Sequence, residues 1–137
     1  MKLYFDENLP KQLAKGLNEL IIGLDRSHEV KHILDSFDRG SSDENWINAL
    51  STEKACIITS DFRIFSERNS RAILSKSKVG IFFYRQPRKG HSYWEMAQFI
   101  INNIPEIINY DNKTNKPFAV ELELKRNPKL LDISIKK

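Results

Sequence analysis

Cysteine is scarce in this sequence, since Cys56 is the only one among 137 residues. One cysteine can form no internal disulfide and cannot build a cysteine-ligated zinc site. Cys56 lies in the apolar run ACIITS, where a buried, unreactive thiol is the expected role. Because no disulfide framework is present, we expect the chain to work in a reducing cytoplasm.

Long hydrophobic runs are also lacking, because every apolar cluster is interrupted well below the ~18 residues that a membrane-spanning helix needs. No charged-then-apolar signal peptide precedes the first predicted strand. We therefore expect a soluble protein with no membrane partner. The hydrophobic content of 40% is enough for one domain over residues 1–137, with an α/β core at 1–112 and a C-terminal β extension at 113–137.

The charge is modest but unevenly distributed. The net charge is +4 and the calculated pI is about 9.2. Acidic residues are frequent as far as Glu67, whereas lysine and arginine are in excess from Lys76 onward. An acidic site beside a basic surface suits nucleic-acid chemistry, although scattered lysines also describe an ordinary solvated face.

Apolar runs and helical spacing alternate along the first 110 residues. The apolar runs predict four buried strands, at about residues 3–5, 28–34, 55–61 and 79–84. The helical spacing predicts helices at about residues 9–20, 41–53, 66–75 and 92–110. Strands that alternate with helices imply parallel pairing, so the predicted fold class is α/β, a three-layer α/β/α sandwich with a mostly parallel sheet.

Helix boundaries and faces can be predicted in part. Asn8 is expected to cap the first helix, and Ser41 with Glu44 matches a capping box at the start of the second. In the last helix we expect an inward-facing set made of Trp94, Ala97, Ile100, Ile101, Ile104 and Ile108.

The C-terminal segment has a different pattern. FAVELELK alternates strictly between apolar and polar residues, and LLDISI follows after RNPK. This alternation predicts a β hairpin or a pair of edge strands. Its apolar face needs cover, and we expect a homodimer contact there.

Carboxylates follow two of the predicted strands at the point where each strand ends. Asp6 follows Leu3 to Phe5, and Asp61 follows ACIITS. If the two strands are neighbours, their carboxyl ends share one edge of the sheet, and the two aspartates converge there. Glu7 joins them or points away, since successive strand residues alternate faces. Asp43 and Glu44, at the start of the second helix, approach the same edge.

Clustered carboxylates repel one another and are usually held together by a cation. Oxygen ligands without cysteine select a hard ion, Mg²⁺ or Mn²⁺. Such an ion polarises a phosphoryl oxygen and activates a water, so metal-assisted phosphodiester hydrolysis is the leading chemistry. Structural roles compete with this interpretation, because Asp43 also suits a helix dipole, Glu44 a capping box and Glu7 a solvated surface.

Two stretches, YFDENLP and SSDENWINALSTEKACIITSDFRIF, resemble the PIN-like ribonuclease domains of toxin–antitoxin systems, in particular a compact subgroup that begins with a strand ending in Asp-Glu-Asn-Leu-Pro. The resemblance covers roughly residues 1–84. It implies a PIN-like sandwich, Mg²⁺- or Mn²⁺-dependent cleavage of an RNA substrate, and neutralisation by a cognate antitoxin protein.

Carried over by motif position, the resemblance implies that Asp6, Asp43 and Asp61 bind metal and act in catalysis. Glu7 and Asn8 belong to the first motif, and Arg63 fits the SDFRIF pattern and is a candidate phosphate contact. The sequence departs from the family in one respect. Many PIN nucleases place a further acid shortly after the position of Asp61, where this chain has Phe62, Arg63 and Ile64.

Three other functions compete with the nuclease. HEVKH, residues 28–32, matches the His-Glu-x-x-His zinc-protease pattern, which requires a helix where we predict a strand. A receiver domain would be phosphorylated on Asp61 but needs a lysine after a late strand, where Tyr84 and Arg85 stand. A non-catalytic module that binds RNA or protein through the basic second half is the third alternative.

Overall fold

The structure is a computed structural model that describes residues 1–122 and 130–132. Within them, the strands are β1 (Lys2–Phe5), β2 (Glu29–His32), β3 (Cys56–Thr59), β4 (Gly80–Tyr84), β5 (Phe118–Leu122) and β6 (Leu130–Asp132). The α-helices are α1 (Lys11–Leu24), α2 (Asp43–Glu53), α3 (Arg63–Ser66), α4 (Arg68–Ser75) and α5 (Tyr93–Lys113), and a short 3-10 helix spans Ile33–Asp35.

The strands form one sheet in the order β2-β1-β3-β4-β5-β6. β1 to β5 are parallel, and β6 is antiparallel to β5. The predicted α/β fold class is confirmed, and so is the condition that β1 and β3 are neighbours. The predicted C-terminal hairpin is described only where β5 pairs with β6, and the end of the alternating pattern, Glu123 and Leu124, lies outside the described residues.

Both faces of the sheet are covered by helices, because strand side chains alternate between them. Leu3 and Phe5 pack on one face with α1 and α5, whereas Tyr4 packs on the other with α2 and α4. All five residues of β4 are buried, as expected for a strand inside a parallel sheet. The result is the three-layer arrangement, with the carboxyl ends of β1, β3 and β4 along one edge.

Two predicted helix caps are wrong. Ser42, not Ser41, caps α2, and its Oγ accepts a hydrogen bond from the Asn45 amide at 3.2 Å. Ser41 instead donates its hydroxyl to the Asp38 carbonyl at 2.7 Å. Asn8 does not cap α1 either, because the cap position is Pro10 and no side chain accepts a bond there. At α2, the two adjacent serines offered more than one boundary, whereas at α1 the helix begins two residues later than a cap at Asn8 requires.

The inward face predicted for α5 is partly wrong. Ala97, Ile100 and Ile104 are buried, but the Trp94 side chain is 74% exposed and Ile101 is 39% exposed. Ser92 caps the helix in a reciprocal capping box with Glu95, and the helix continues through Pro105. The buried face therefore begins at Met96, two residues after the position that the apolar pattern suggested.

The His-Glu-x-x-His stretch lies on a strand, as predicted. His32 is buried, accepts a hydrogen bond from the Leu34 amide at Nδ1 and contacts the Leu9 carbonyl oxygen through Nε2 at 2.7 Å. His28 contacts the N-terminal amine at 3.0 Å instead. The two imidazoles have separate local partners, so the helical geometry of a zinc protease is absent from this described stretch.

Cys56 is fully buried in β3, and its thiol donates to Asp111 Oδ1 at 3.2 Å. The predicted burial of Cys56 is confirmed, and burial raises the pKa of its thiol well above the ordinary value, which favours the protonated form. Across the described ranges, none of the helices combines the length and the apolar character needed to cross a membrane.

Candidate functional site

Asp6 and Asp61 meet around one buried hydroxyl at the carboxyl edge of the sheet. Thr59, the last residue of β3, is only 4% exposed. Its Oγ1 donates to Asp6 Oδ2 at 2.6 Å and accepts a hydrogen bond from the Asp61 amide at 3.0 Å. The Asp6 amide also donates to the Ile58 carbonyl at 3.1 Å. Neighbouring parallel strands therefore place the two predicted acids side by side.

Thr59 itself was not predicted as a site residue. Its signal in the sequence is a hydroxyl residue two positions before the aspartate that follows β3. A threonine there suits the end of a strand for its β-branching alone, so the sequence does not reveal that it bonds a carboxylate from another strand.

The environment of Asp6 disfavours its ionised form. Burial raises the pKa of the Asp6 carboxyl, and the negative charges of Asp61 and Glu7 raise it further. The hydrogen bonds from Thr59 and from the Glu7 amide oppose this and lower it. Asp6 is thus a partly desolvated acid beside other acids, an arrangement that a cation would stabilise.

Arg63 provides positive charge at this edge of the sheet. Its Nε and Nη2 donate to the two carboxylate oxygens of Asp61 at 2.9 and 2.7 Å, and its amide donates to Oδ1 at 3.0 Å. This bidentate pair lowers the pKa of Asp61, and Asp61 in turn raises the pKa of Arg63. Both oxygens of Asp61 are therefore occupied by a guanidinium whose side chain is 81% exposed.

Asp43 faces the same region from the first turn of α2. Its Oδ1 accepts a hydrogen bond from Trp46 Nε1 at 3.1 Å, and its Oδ2 accepts one from Ser70 Oγ at 2.7 Å. The dipole role considered for Asp43 is consistent with its place in the helix. The two hydrogen bonds also fix the orientation of the carboxylate, so Asp43 is held by α2 and α4 together.

Glu67 is a fourth acid of the site, and it was not among the predicted site residues. It lies at the junction between α3 and α4, and its Oε1 is 3.3 Å from Ser70 Oγ, the hydroxyl that donates to Asp43. The missing acid noted in the sequence concerned only the three residues that directly follow Asp61. The short helix α3 brings Glu67, six positions after Asp61, close to the hydroxyl that binds Asp43. Residue spacing alone does not reveal this.

The three other predicted candidates lie at the margin of the site. The Glu7 side chain is bound by the loop before α2, where its Oε1 accepts a hydrogen bond from the Gly40 amide at 3.1 Å. Asn8 is exposed beside it. Glu44 is also exposed, and its predicted capping box with Ser41 does not form because Ser42 takes the cap.

Two adjoining cavities, of about 420 and 360 Å³, open at this edge of the sheet. They share six residues, which we call the acidic cleft: Asp6, Ser41, Asp43, Trp46, Asp61 and Arg63. Glu44, Thr59, Glu67 and Ser70 line only the larger cavity, and Glu7 and Asn8 only the smaller one. All three acids predicted to bind metal therefore lie in one concave region.

The cleft offers the type of donor that a hard divalent cation prefers, since its ligands would all be carboxylate or hydroxyl oxygens. Among residues 1–122 and 130–132, however, no three Asp, Glu, His or Cys side chains lie close enough together to hold a metal ion. The Arg63 guanidinium occupies both carboxylate oxygens of Asp61, which an ion would also need. The donor chemistry fits a metal, and Arg63 is its local competitor.

Comparison with known proteins identifies one family. A family model described as a PIN like domain matches residues 1–86, which is more than half of the chain and extends from β1 through β4. The match includes Asp6, Asp43, Asp61 and Glu67. Neither the curated proteins nor the solved structures yielded a match.

Proposed function

This chain belongs to the PIN-like domain family, and from that premise we propose that it is a metal-dependent endoribonuclease of the cytoplasm. The observation that carries the proposal is the acidic cleft, in which Asp6 and Asp61 share the Thr59 hydroxyl and Asp43 is held by Trp46 and Ser70. Acids on separate elements that line one concavity favour phosphodiester hydrolysis over a structural role.

Asp6 and Asp61 would hold a Mg²⁺ or Mn²⁺ ion, with Asp43 as a further oxygen donor. Bound there, the ion supplies Lewis-acid stabilisation of the phosphate and a bound water of lowered pKa. The raised pKa of Asp6 supports this assignment, since a desolvated carboxyl next to other acids gains most from a nearby positive charge.

Arg63 has two roles in this proposal. In the structure as it stands, its guanidinium neutralises Asp61. If Asp61 held a metal ion, the Arg63 guanidinium would be free to contact a phosphate oxygen of the RNA, for which its planar fork of donors is suited. Its side chain is exposed on the cleft, so this rearrangement requires no change in the core.

Glu67 and Ser70 position Asp43. The Ser70 hydroxyl donates to Asp43 Oδ2 and lies within hydrogen-bonding distance of Glu67 Oε1 as well. Because these residues come from α4 and the junction before it, the orientation of Asp43 depends on how α4 packs against α2. Glu67 also adds negative charge to the larger cavity, which strengthens its attraction for a cation.

RNA cleavage in vitro tests the proposal. The wild-type protein is expected to cut RNA with Mg²⁺ or Mn²⁺ and to stop when EDTA is added. Asp6→Asn and Asp61→Asn are expected to lose cleavage. Glu106→Gln changes an exposed acid of α5 outside the cleft and is the matched control. The nuclease proposal is wrong if the two cleft variants cut as well as this control.

A second candidate is a non-catalytic RNA-binding module. Two observations favour it. Within the described residues the acids do not lie close enough together to hold a metal ion, and Arg63 occupies both carboxylate oxygens of Asp61. RNA binding that survives both aspartate substitutions, without cleavage in any metal, would support this alternative over the nuclease.

The toxin role is a further part of the proposal. A ribonuclease toxin arrests growth when it is overproduced, so wild type is expected to stop growth and Asp6→Asn to allow it. Co-expression of a cognate antitoxin protein is expected to restore growth to the wild type. We also propose a homodimer through the C-terminal strands, which a monomeric protein at micromolar concentration would refute.

A further inference from the structure

Two aromatic side chains stand out from the fold at the start of α5. Trp94 is 74% exposed and Tyr93 is 42% exposed. Their rings contact each other edge to face, with centroids 5.3 Å apart and planes at 84°. We call them the aromatic pair. The apolar pattern of α5 does not need them, because the buried face of the helix begins at Met96.

The aromatic pair is carried on a rigid support. Ser92 Oγ accepts a hydrogen bond from the Glu95 amide, and Glu95 accepts one from the Ser92 amide at 2.8 Å. The loop before it is fixed as well, since the Tyr84 hydroxyl is hydrogen-bonded to the His91 ring and the His91 amide donates to Gln86 Oε1. The backbone that carries the two exposed rings is therefore fixed, which lowers the cost of ordering them around a flat ligand.

A basic turn lies directly before the aromatic pair. The Gly90 amide donates to the Pro87 carbonyl at 2.7 Å, which closes a turn over residues 87–90, and Gly90 takes a positive φ of 79°. The two central residues, Arg88 and Lys89, are both exposed. Neither forms an ion pair within the part of the chain that the structure describes. Residues 85–94 contain three cations and no acid.

Arg85 connects this basic turn to the acidic cleft. It follows β4, and Phe83 in β4 pairs with Thr59 in β3, so the two strands end side by side. The Arg85 guanidinium lies over the ring of Phe62, 4.2 Å from the centroid, and Phe62 directly follows Asp61. The Arg85 side chain also pairs with Glu121 at 2.7 Å yet is 59% exposed. Arg85 therefore places one cation next to the cleft, at the start of the segment that leads from β4 through the basic turn to α5.

We propose that the aromatic pair and the basic turn form a subsite for single-stranded RNA. An unpaired base stacks on Trp94 with Tyr93 at its edge, and the adjoining phosphates contact Arg88, Lys89 and Arg85 on the way to the acidic cleft. This inference rests on the proposed ribonuclease function. It adds a site for a base away from the cleaved bond, and it requires RNA whose bases are unstacked.

The charge pattern favours RNA over a protein as the occupant. Exposed tryptophan, tyrosine and arginine also occur at protein interfaces. Here, however, three cations precede the rings in sequence, and within the described residues only Arg85 among them forms an ion pair, with Glu121. Arg85 also lies over Phe62, next to a cleft suited to phosphodiester chemistry. A positively charged surface next to exposed aromatic faces is the pattern by which single-stranded nucleic acid is bound.

RNA affinity measured in an Asp6→Asn background tests the subsite without cleavage. The probe is a fluorescent single-stranded oligonucleotide, followed by anisotropy. Base stacking on an aromatic ring is worth roughly 5- to 150-fold in affinity, so Trp94→Ala in this background is expected to weaken binding within that range. Leu24→Ala removes an equally exposed apolar side chain at the far end of α1 and is the matched control.

Two further measurements separate stacking from charge. With an oligonucleotide that carries abasic positions, Trp94→Ala is expected to bind like its parent. Replacing both Arg88 and Lys89 by alanine is expected to reduce the dependence of log affinity on log salt by about 0.7 for each lost phosphate contact. Trp94→Phe keeps an aromatic face and is expected to retain most of the affinity.

The subsite is refuted if Trp94→Ala binds the oligonucleotide as tightly as Leu24→Ala. It is also refuted if Trp94→Ala loses a protein partner while its RNA affinity is unchanged, since the surface would then serve that partner. Both results are independent of cleavage, so they leave the proposed nuclease standing. Absence of cleavage by wild type, together with an intact Trp94 effect, would refute the nuclease and keep the RNA site.

Discussion

Replacement of Thr59 by valine tests how the two acids at the sheet edge are held. The buried hydroxyl donates to Asp6 at 2.6 Å and accepts from the Asp61 amide at 3.0 Å. Valine keeps the shape of the side chain and removes both hydrogen bonds. A bond to a charged group is worth about 1.5–3 kcal/mol and a neutral one about 0.5–1.5 kcal/mol, so the pair contributes about 2–4 kcal/mol.

The added methyl group of valine offsets about 1 kcal/mol of this loss through apolar burial. Thr59→Val is therefore expected to lower the free energy of unfolding by about 1–3 kcal/mol, measured by urea denaturation at neutral pH. The same change should move the acidic limb of the cleavage profile to higher pH. The reason is that the Thr59 bond lowers the pKa of Asp6, and its loss raises that pKa further.

Thr59→Ser is the matched control, because it retains the hydroxyl and should keep the wild-type pH profile. The reasoning is refuted if Thr59→Val has both the stability and the pH profile of the wild type. It is also refuted if Thr59→Ser shifts the profile as far as Thr59→Val, since the shift could not then be due to the hydroxyl.

Other predictions follow from the remaining contacts. Burial raises the pKa of Asp6, so ionisation of this carboxyl lowers the stability of the fold as pH rises through that pKa. Asp6→Asn is therefore expected to raise the free energy of unfolding, measured in urea at neutral pH, by about 0.5–2 kcal/mol. This gain should shrink in acid, where the wild-type carboxyl is protonated. Arg63→Ala should bind Mn²⁺ more tightly in calorimetry, whereas Arg26→Ala, a distant exposed arginine, should match wild type. Gly80→Ala is expected to destabilise the protein by about 1–3 kcal/mol, because its Cβ would lie 2.4 Å from the Phe118 ring of β5. Gly16→Ala, in α1 with open space around it, is expected to stabilise the protein by about 0.5–1 kcal/mol. Thermal unfolding measures both effects.

The sheet could be predicted from the sequence because its strands are buried on both faces. Runs such as ACIITS and VGIFFY have no polar interruption, and such runs between helices are typical of parallel strands. The position of Asp6 and Asp61 at one edge followed from that topology alone. Boundaries were less certain, since Ser41 and Ser42 are both able to cap α2 and only the course of the preceding loop selects between them.

Residues that act through long-range contacts were not predictable. Thr59 donates a hydrogen bond to Asp6, which lies 53 positions earlier in the sequence. Glu67 lines the larger cavity because α3, which precedes it, is a single turn. The spacing of Trp94 fits the apolar stripe of α5, but the buried face of the helix begins two residues later, at Met96. Each depends on where one element ends relative to another, which periodicity does not determine.

The central claim is that Asp6 and Asp61 act together on one divalent ion. Mn²⁺ binding measured by electron paramagnetic resonance tests this directly, with wild type, Asp6→Asn, Asp61→Asn and the control Glu106→Gln compared under the same conditions. We predict that wild type and Glu106→Gln bind Mn²⁺ equally and that each cleft variant loses this binding. Wild-type affinity in either Asp6→Asn or Asp61→Asn would contradict the claim.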